Sequence, residues 1–500
     1  MADKSIIIIG AGIAGLSAGC YGRMNGFSTR IFEMHKKPGG LCTSWKRQGY
    51  TINGCIHWLI GSSPAISYYR MWEELGAVQG RQFVNHEEYG RIEDTNGASF
   101  IMYTDIDRLE RHMKELSPED AAVTDEFIQA IRRCAKFEIP WDKAPETIGL
   151  FDGIGMFIKY FPLIRTIGTW NKISLKEFGD RFKHPLLREA FPLMFMPDFP
   201  VSFMLFTFAW LHQKAAGYPI GGSLDFSRAI EKRYLSLGGE ITYKAKTVKI
   251  LTENNRAVGI RLEDGTEHRA DYVISAADGH ATIFNLLEGK YLDDRVRGYY
   301  DALIPFPPLV HVALGINRSF SDVPHATGLA IKLREPITIG GVQQMLLNVH
   351  IWNFDPTLAP AGKTIVSVMF QTDFDFWKKL RENEELYKAE KERIADQVVA
   401  NLDQRFPGLA AQVEMRDVAT PTTFVRYTGN WKGSFEGWQV TPKTWSLGKV
   451  MKKTLPGLDN FYMAGHWVEP GGGIPAVAMC GRNVVQIICK NEKKKFVTTR

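Results

Sequence analysis

The chain has 500 residues and a formal net charge of +6, from 61 Lys and Arg against 55 Asp and Glu. This length exceeds what one hydrophobic core usually holds, so we expect two domains, or one domain with large insertions. The charge excess is too small to indicate a nucleic-acid partner, and the six cysteines show neither a CxxC pair nor a His/Cys metal spacing. We therefore predict no nucleic acid, no metal and a reducing compartment.

The first element is the apolar run "SIIIIGAG" at 5–12. A continuous β-branched run that ends at glycine is typical of a central parallel strand, and the following "IAGLSAGCYGRMNG" has helical spacing. Gly10, Gly12 and Gly15 have the GxGxxG spacing, which permits a tight turn, close approach to a pyrophosphate and close helix–strand packing. The glycines and the lack of a convincing cleavage site also indicate that this segment is not a secretion signal.

A second strand, "STRIFEM", carries the acid Glu33 near its end. At this distance from the glycines a carboxylate accepts hydrogen bonds from ribose hydroxyls, which together with the glycines predicts a dinucleotide site and argues against a 2′-phosphate. The next segment, "HKKPGGLCTSW", adds Gly39 and Gly40 and the hydroxyl of Thr43. A second glycine pair suits a ligand that continues past the pyrophosphate, so the pattern favours FAD over NAD.

The stretch 191–213 is rich in Phe, Leu and Met. Prolines interrupt it, and its clean apolar run is far shorter than the roughly 20 residues that a membrane-spanning helix requires. Three interpretations stay open: core packing, a tunnel wall for a long apolar substrate, or an element in the membrane interface. The wall would consist of Phe203, Leu205, Phe206 and Phe208.

Further along, residues 240–278 predict a β-meander with turns at Asn254–Asn255 and Asp264–Gly265. The segments "PPLVHVALGIN" and "KTIVSVMFQT" are typical of strands in a sheet. The segment 420–438 supplies Arg426, Tyr427, Trp431 and Trp438, which would form a wall of the site.

Near the C-terminus, "GHWVEPGGGIP" precedes "AVAMCGRNVVQIICK", which has helical spacing. Gly471, Gly472 and Gly473 are hard to explain by turn geometry alone, and Pro475 suits the first turn of a helix. The last residues, 491–500, form a basic tail, either a solvated end or a contact for anionic lipid headgroups.

The segments "IIIIGAGIAGLSA", "FEMHKKPGG" and "GYTINGCIHWLIG" resemble the N-terminal region of the flavin-dependent amine oxidase and phytoene desaturase superfamily. Within it, 218–241, 270–287 and 470–477 resemble most closely the bacterial phytoene desaturases, carotenoid isomerases and retinol saturases. The resemblance spans nearly the whole chain. It departs at Asn53, where the family often has aspartate.

The resemblance implies an α/β fold. A Rossmann-like FAD-binding domain of the GR2 type is expected from the discontinuous segments 1–75, 218–290 and 450–490. An inserted α+β substrate domain, with a mixed sheet and a hydrophobic helical part, is expected from 76–217 and 291–449.

The resemblance also implies the residues of the site. The expected FAD-binding residues are Gly10, Gly12, Ala14, Gly15, Glu33, Met34, Gly39, Gly40, Leu41, Thr43, Val248 through its main chain, Gly465, Gly472, Gly473 and Ile474. A helix N-terminus after the glycine cluster would stabilise negative charge on the reduced flavin. The candidates for proton transfer are His57, His466, Glu469, Arg426 and Tyr427.

We expect an FAD-dependent oxidoreductase, or a redox-neutral isomerase, that acts on C=C bonds of a long isoprenoid or lipid. The alternatives are a flavin amine oxidase and a prenyl-binding protein without flavin, of the Rab GDP dissociation inhibitor type. The direction of the reaction, the electron partner and the oligomeric state stay open. The expected location is the cytoplasm, with or without peripheral membrane contact.

Overall fold

The structure of the protein is a computed structural model that describes residues 4–442, 452–469, 471 and 473–500. Its strands are β1 Ser5–Ile9, β2 Ser28–Glu33, β3 Ser44–Arg47, β4 Tyr50–Asn53, β5 Phe83–Val84, β6 Glu88–Glu93, β7 Ser99–Tyr103, β8 Tyr218–Pro219, β9 Glu240–Tyr243, β10 Thr247–Glu253, β11 Arg256–Leu262, β12 Glu267–Arg269, β13 Tyr272–Ser275, β14 Leu309–Ile316, β15 Ala326–Ile339, β16 Val342–Ile351, β17 Thr364–Gln371, β18 Val413–Ala419 and β19 Phe461–Met463.

The helices in the described residues are α1 Ile13–Met24, α2 Tyr68–Glu74, α3 Ile106–Leu116, α4 Ala121–Cys134, α5 Leu150–Trp170, α6 Leu175–Gly179, α7 Pro185–Met194, α8 Val201–His212, α9 Gly222–Ser236, α10 Asp294–Ala302, α11 Phe374–Leu380, α12 Glu384–Arg405, α13 Pro421–Thr428 and α14 Gly473–Asn491. Shorter 3-10 segments are Pro118–Asp120, Pro145–Thr147, Ala410–Gln412 and Trp431–Gly433, and Ala281–Leu286 is a π-helix.

Strands β19, β13, β1, β2 and β9 form, in that order, a sheet in which every neighbouring pair is parallel. The isoleucines at 6–9 in β1 are all buried, as expected of a central strand covered on both faces. Helix α1 packs against α14 at Gly481, where a Cβ would lie 2.3 Å from the carbonyl oxygen of Ala14. This sheet is the Rossmann-like part of the fold that the sequence predicts.

A second, small sheet forms the middle of the meander predicted at 240–278, where β10, β11 and β12 pair antiparallel. The first and last strands of that segment, β9 and β13, belong instead to the parallel sheet. The first turn of the meander places Asn254 and Asn255 at φ of 48° and 60°, and its second turn places Gly265 at 88°. Asparagine and glycine tolerate this left-handed region best, which is why the sequence marks both turns.

The third sheet has seven strands in the order β18, β14, β17, β16, β15, β6, β7. All neighbours are antiparallel except β15 and β6, so the sheet is mixed. Side chains alternate along each strand: Val310 and Val312 of β14 belong to a buried core shared with α12, whereas His311 between them lines a cavity. The sheet therefore separates a helix-covered face from a cavity face.

A helical group, α3 to α8, encloses a core of its own against this cavity. In α8, Leu205 and Phe208 are buried in that core, while Phe203 and Phe206 line the cavity. The stretch 191–213 thus combines core packing with a tunnel wall. The third interpretation, membrane contact at 191–213, has no support from α8, whose apolar side chains are buried or partly buried, and it stays a prediction.

The parallel sheet and the meander come from one set of chain segments, and the mixed sheet comes from another. Every strand of the parallel sheet and of the meander lies within 1–75, 218–290 or 450–490. The seven strands of the mixed sheet lie within 76–217 or 291–449. We take these segments as our proposed domain division.

Candidate functional site

A cavity of about 1300 Å³ lies between the parallel sheet and the mixed sheet. One end is lined by Leu41 and by Gly473 and Ile474 at the start of α14. The other end is lined by Tyr160 of α5 and Phe206 of α8, among many apolar side chains. The cavity therefore connects the predicted flavin site with the hydrophobic helical group.

The turn between β1 and α1 is shaped for a close ligand. Gly10 has a φ of 96°, and a Cβ on Gly15 would lie 2.0 Å from the carbonyl oxygen of Gly10. Gly12 precedes α1, which has no side-chain N-cap, and a Cβ on Gly12 would meet no atom within 4 Å. Unpaired amides and open space at a helix N-terminus are what a pyrophosphate requires.

Glu33 is fixed at the end of β2 by two backbone amides. Ala11 N donates to its Oε2 at 2.7 Å, and His35 N donates to its Oε1 at 2.7 Å. Burial raises the pKa of Glu33, and the two amide bonds oppose this shift. Each oxygen keeps a lone pair for a ribose hydroxyl, and Met34 beside it is partly exposed.

The second glycine segment lies directly on the first. Gly39 N donates to Ala11 O at 2.9 Å, and Gly39 and Gly40 have φ of 108° and 59°. A Cβ on Gly40 would come within 3.5 Å of Gly12 Cα. The buried Thr43 Oγ1 has no hydrogen-bond partner among the residues that the structure describes. This unsatisfied hydroxyl, together with the open space at Gly12, fits a diphosphate ligand with a polar chain, as in FAD.

The start of α14 lies where the resemblance predicts the flavin end of the site. Gly471 and Gly473 have φ of 138° and 77° and line the cavity with Ile474, while Gly465, at 119°, lies on the preceding turn. Gly472 lies outside the described residues. The glycine cluster thus brings main chain to the cavity wall.

Val248 lies at an irregularity in the meander. Thr247 pairs with Leu262 and Lys249 pairs with Arg261, so Val248 has no direct partner in this hairpin. The resemblance implies a main-chain contact with the adenine at this irregular position. The contact itself stays a prediction.

Asn53, where the resemblance to the family departs, has a structural role. Its Oδ1 accepts from Ser223 N at 2.9 Å, and its Nδ2 donates to Ile56 O at 2.6 Å. An aspartate could not make the second bond, because it has no donor when ionised. Asn53 therefore joins β4 to the start of α9.

Of the proton-transfer candidates, His57 lies in the cavity wall. Its ring centroid is 4.2 Å from that of His350, and His311 lies in the same wall. Burial lowers the pKa of His57 well below its usual value and lowers the pKa of His311 and of His350 to about 4. The three imidazoles are neutral at pH 7, and the described residues do not arrange them as a metal site.

His466 and Glu469 lie behind the wall, because neither is among the described residues that line the cavity. Burial lowers the pKa of His466 to about 4. Glu469 Oε2 is 2.8 Å from Nζ of the buried Lys453, which also donates to Glu146 Oε1 at 2.9 Å. This network gives Glu469 an ion-pairing role, and its part in catalysis stays a prediction.

Arg426 and Tyr427 lie at the other end of the site. The Tyr427 ring is 5.1 Å from the ring of His35, two residues after Glu33, and neither Arg426 nor Tyr427 lines the cavity. The geometry therefore associates them with the nucleoside end, and a proton-transfer role has no support from their positions. Trp431 and Trp438 are likewise not in the cavity wall, because they pack with each other and with Trp467.

Glu436 is a residue that the sequence did not single out. Its carboxyl lines the cavity, and its Oε1 accepts from Gly473 N at 3.1 Å. Burial raises its pKa to about 7. The only sequence signal is an acid within the aromatic segment "GSFEGW", and this pattern is too common to identify a site.

Comparisons with known proteins identify the family. Residues 13–489 match the model of the flavin containing amine oxidoreductases. The chain belongs to this family. It is an FAD-dependent oxidoreductase, and the family resemblance noted from its sequence is confirmed.

Similar proteins share most of the chain. The chloroplastic prolycopene isomerase of Daucus carota is 26% identical, over 96% of this chain and 79% of its own length. The lycopene-forming phytoene desaturase of a Paracoccus species is 24% identical, over 97% of both chains. An oxidoreductase from Methanosarcina mazei has the same fold, with a TM-score of 0.61, 18% identity and coverage of 96% of this chain and 100% of that chain.

Proposed function

We propose that this enzyme moves hydride to or from carbons next to C=C bonds of a long isoprenoid or lipid, as a desaturase, a saturase or an isomerase. The observation that carries the proposal is the low charge of the cavity wall. Among its described lining residues, Arg91 is the one arginine or lysine and Glu436 is the one aspartate or glutamate. Arg91 is ion-paired with Glu88 at 2.8 Å. The relatives named prolycopene isomerase and phytoene desaturase support the same substrate class.

The side chains of the cavity wall would position the substrate and exclude water from it. Phe203 and Phe206 of α8 and Tyr160 of α5 give the cavity apolar and aromatic walls, which hold an extended polyene and exclude water. Bound FAD supplies the two-electron chemistry. With FAD bound, the positive end of the α14 dipole would stabilise the negative charge that this chemistry brings to the flavin ring.

Two alternatives fit the cavity less well. An amine oxidase must hold a charged amine, whereas the cavity wall is predominantly apolar and its one described acid, Glu436, is partly protonated at pH 7. A prenyl-binding protein without flavin has no use for the glycine cradle around Gly12 and Gly40.

The test is the absorbance spectrum of the purified holoenzyme, recorded without oxygen before and after a panel of polyenes in detergent. Bleaching of oxidised flavin by a polyene would identify a desaturase. Reoxidation of prereduced flavin by the same panel would identify a saturase, and conversion of cis to trans polyene without net flavin change would identify an isomerase. Polyamines serve as the control panel, and bleaching by these alone would overturn the proposal in favour of an amine oxidase.

Peripheral membrane contact, which the sequence placed at 191–213, is better supported at α5. One face of α5 exposes Ile154, Ile158 and Phe161, with Ile158 exposed by 69%. The same face carries the cation Arg165, and the opposite face, with Tyr160 and Leu163, lines the cavity. We propose that this outer face lies in the bilayer interface, so that a lipophilic substrate passes from the membrane under α5 into the cavity.

Co-sedimentation with anionic phospholipid vesicles tests this contact. Ile158→Glu is expected to lower the bound fraction at least fivefold. Leu386→Glu is the matched control, because Leu386 is an exposed leucine on α12, 56% exposed and outside the cavity lining. Equal losses in both variants, or none in Ile158→Glu, would contradict the proposal.

The helices of the described residues include none with the length and apolarity needed to span a bilayer. A cytoplasmic location, with contact to the membrane through α5, remains our proposal. The electron partner and the oligomeric state can be determined with the same purified preparation.

A further inference from the structure

Glu436 lies on a segment that is held firmly on both sides. Ser434 Oγ donates to Glu436 O at 2.8 Å, and Asn430 Nδ2 donates to the same oxygen at 3.1 Å. On the other side, Phe306 N donates to Gly437 O at 2.9 Å. A Cβ on Gly437 would lie 2.5 Å from His466 O, so the chain here is pressed against the turn before α14. This packing fixes where the Glu436 side chain points.

The carboxyl points to the junction between the flavin site and the substrate cavity. It accepts from Gly473 N at the first residue of α14, the helix whose N-terminus closes the flavin end of the cavity. Glu436 is also the one aspartate or glutamate among the described lining residues. A single acid at this point of an apolar cavity is where a proton can be exchanged with a substrate that reacts at the flavin.

Nothing in the described surroundings fixes the charge of this acid. Glu436 has no ion pair among the described residues. The titratable group that faces it is the thiol of Cys55, and the Glu436 carboxyl contributes to the raised pKa of that thiol. Burial raises the pKa of Glu436 to about 7, and the amide of Gly473 opposes the shift. Both the neutral acid and the carboxylate are therefore accessible near neutral pH, as proton transfer requires.

We propose that Glu436 carries the proton that accompanies hydride transfer between substrate and flavin, which rests on the proposed function. In desaturation, two neighbouring C–H bonds break. One hydrogen leaves with its electron pair as hydride to the flavin, and the other leaves as a proton to the Glu436 carboxylate. The electrons left behind form the C=C bond. Saturation is the exact reverse, with the neutral acid as the donor.

The ordinary alternative is that Glu436 merely caps α14. Glu436→Gln separates the two roles, because glutamine still accepts from Gly473 N but cannot carry a proton at neutral pH. We expect this variant to bind FAD and unfold like the wild type, while the rate of anaerobic flavin reduction or reoxidation by the active polyene falls about 100-fold or more. Glu335→Gln, at an exposed position on β15, is the matched control and should keep the wild-type rate.

The pH dependence supplies a readout that capping would not change. In the wild type, the desaturation rate should rise with pH through about 7, or the saturation rate should fall, and this limb should vanish in Glu436→Gln. The absorbance of bound oxidised FAD should titrate over the same range in the wild type only. A wild-type rate and pH profile in Glu436→Gln would overturn the proposal. It would also be overturned if Glu436→Gln lost its FAD but regained full activity when FAD was added back. If no polyene reacts with the wild type, the proposed function fails, but the spectral titration still tests whether Glu436 ionises at the flavin.

Discussion

The two ends of the site are built by different means. At the nucleotide end, the determinants are backbone positions. Gly10 and Gly39 have left-handed φ. A Cβ on Gly12 would occupy open space that a ligand can use, and a Cβ on Gly15 would collide with the carbonyl oxygen of Gly10. At the substrate end, side chains from separate elements determine the site, such as His57, His311 and Glu436. Backbone requirements tolerate almost no substitution, whereas a side-chain wall tolerates changes that keep its volume and polarity.

The largest effect is expected from Gly15→Ala at the nucleotide end. The new Cβ would lie 2.0 Å from Gly10 O, so either the turn or the helix must move. We expect a loss of about 3 kcal/mol or more in the free energy of unfolding and at least a tenfold weaker retention of FAD. Absorbance of bound flavin and urea unfolding measure both.

Gly298→Ala is the matched control for this change. Gly298 lies within α10, and a Cβ there would meet no atom within 4 Å. Alanine is a better helix former than glycine, so the control should be neutral or slightly more stable. If both variants behaved alike, the close packing at Gly15 would not govern the nucleotide site.

The same contrast explains what the sequence could predict. The glycines of the nucleotide end lie within one short segment at the β1–α1 junction, where Gly10 has a left-handed φ and Gly15 packs against Gly10 O. The spacing of Gly10, Gly12 and Gly15 is therefore visible in the sequence. The buried isoleucines of β1 and the turns of the meander are equally local. The fold class and the cofactor are therefore readable from short stretches.

The substrate end could not be derived in this way. His57, His311 and His350 come from a loop and two strands, and they meet only because the mixed sheet places alternate residues on the cavity face. Glu436 reaches the start of α14 only because the segment around Ser434 is held in place. Likewise, the sequence left three interpretations open for 191–213, because the apolar run alone does not show that the apolar side chains of α8 are buried and that those on one face of α5 are exposed.

A second prediction tests the substrate end through pH. The pKa of His311 and of His350 is lowered from the ordinary value of 6.5 to about 4 in the folded protein. Between pH 6.5 and pH 4, these two side chains therefore bind protons more readily in the unfolded chain than in the folded protein. Stability is therefore full above pH ~6.5 and falls as the pH drops towards 4. At pH 5 the expected loss is about 2 kcal/mol for each imidazole.

Urea unfolding of the holoenzyme at pH 7 and pH 5 measures this loss. His311→Gln should reduce the difference between the two pH values, because glutamine does not titrate. A wild-type difference in His311→Gln would show that His311 does not carry the pH dependence.

The smallest effect is expected at Val248, where the contact with the ligand is predicted to be made by main chain. Because the hairpin shifts register between Thr247 and Lys249, the side chain at 248 is partly exposed and packs little. Val248→Ala should change FAD affinity by less than about twofold, since it preserves the main-chain groups. Val248→Pro removes the N–H donor and should weaken FAD binding about tenfold while the apoprotein keeps its unfolding midpoint. An equal loss in the alanine variant would mean that the side chain, and not the main chain, meets the adenine, and the nucleotide end would then depend on side chains in the same way as the cavity.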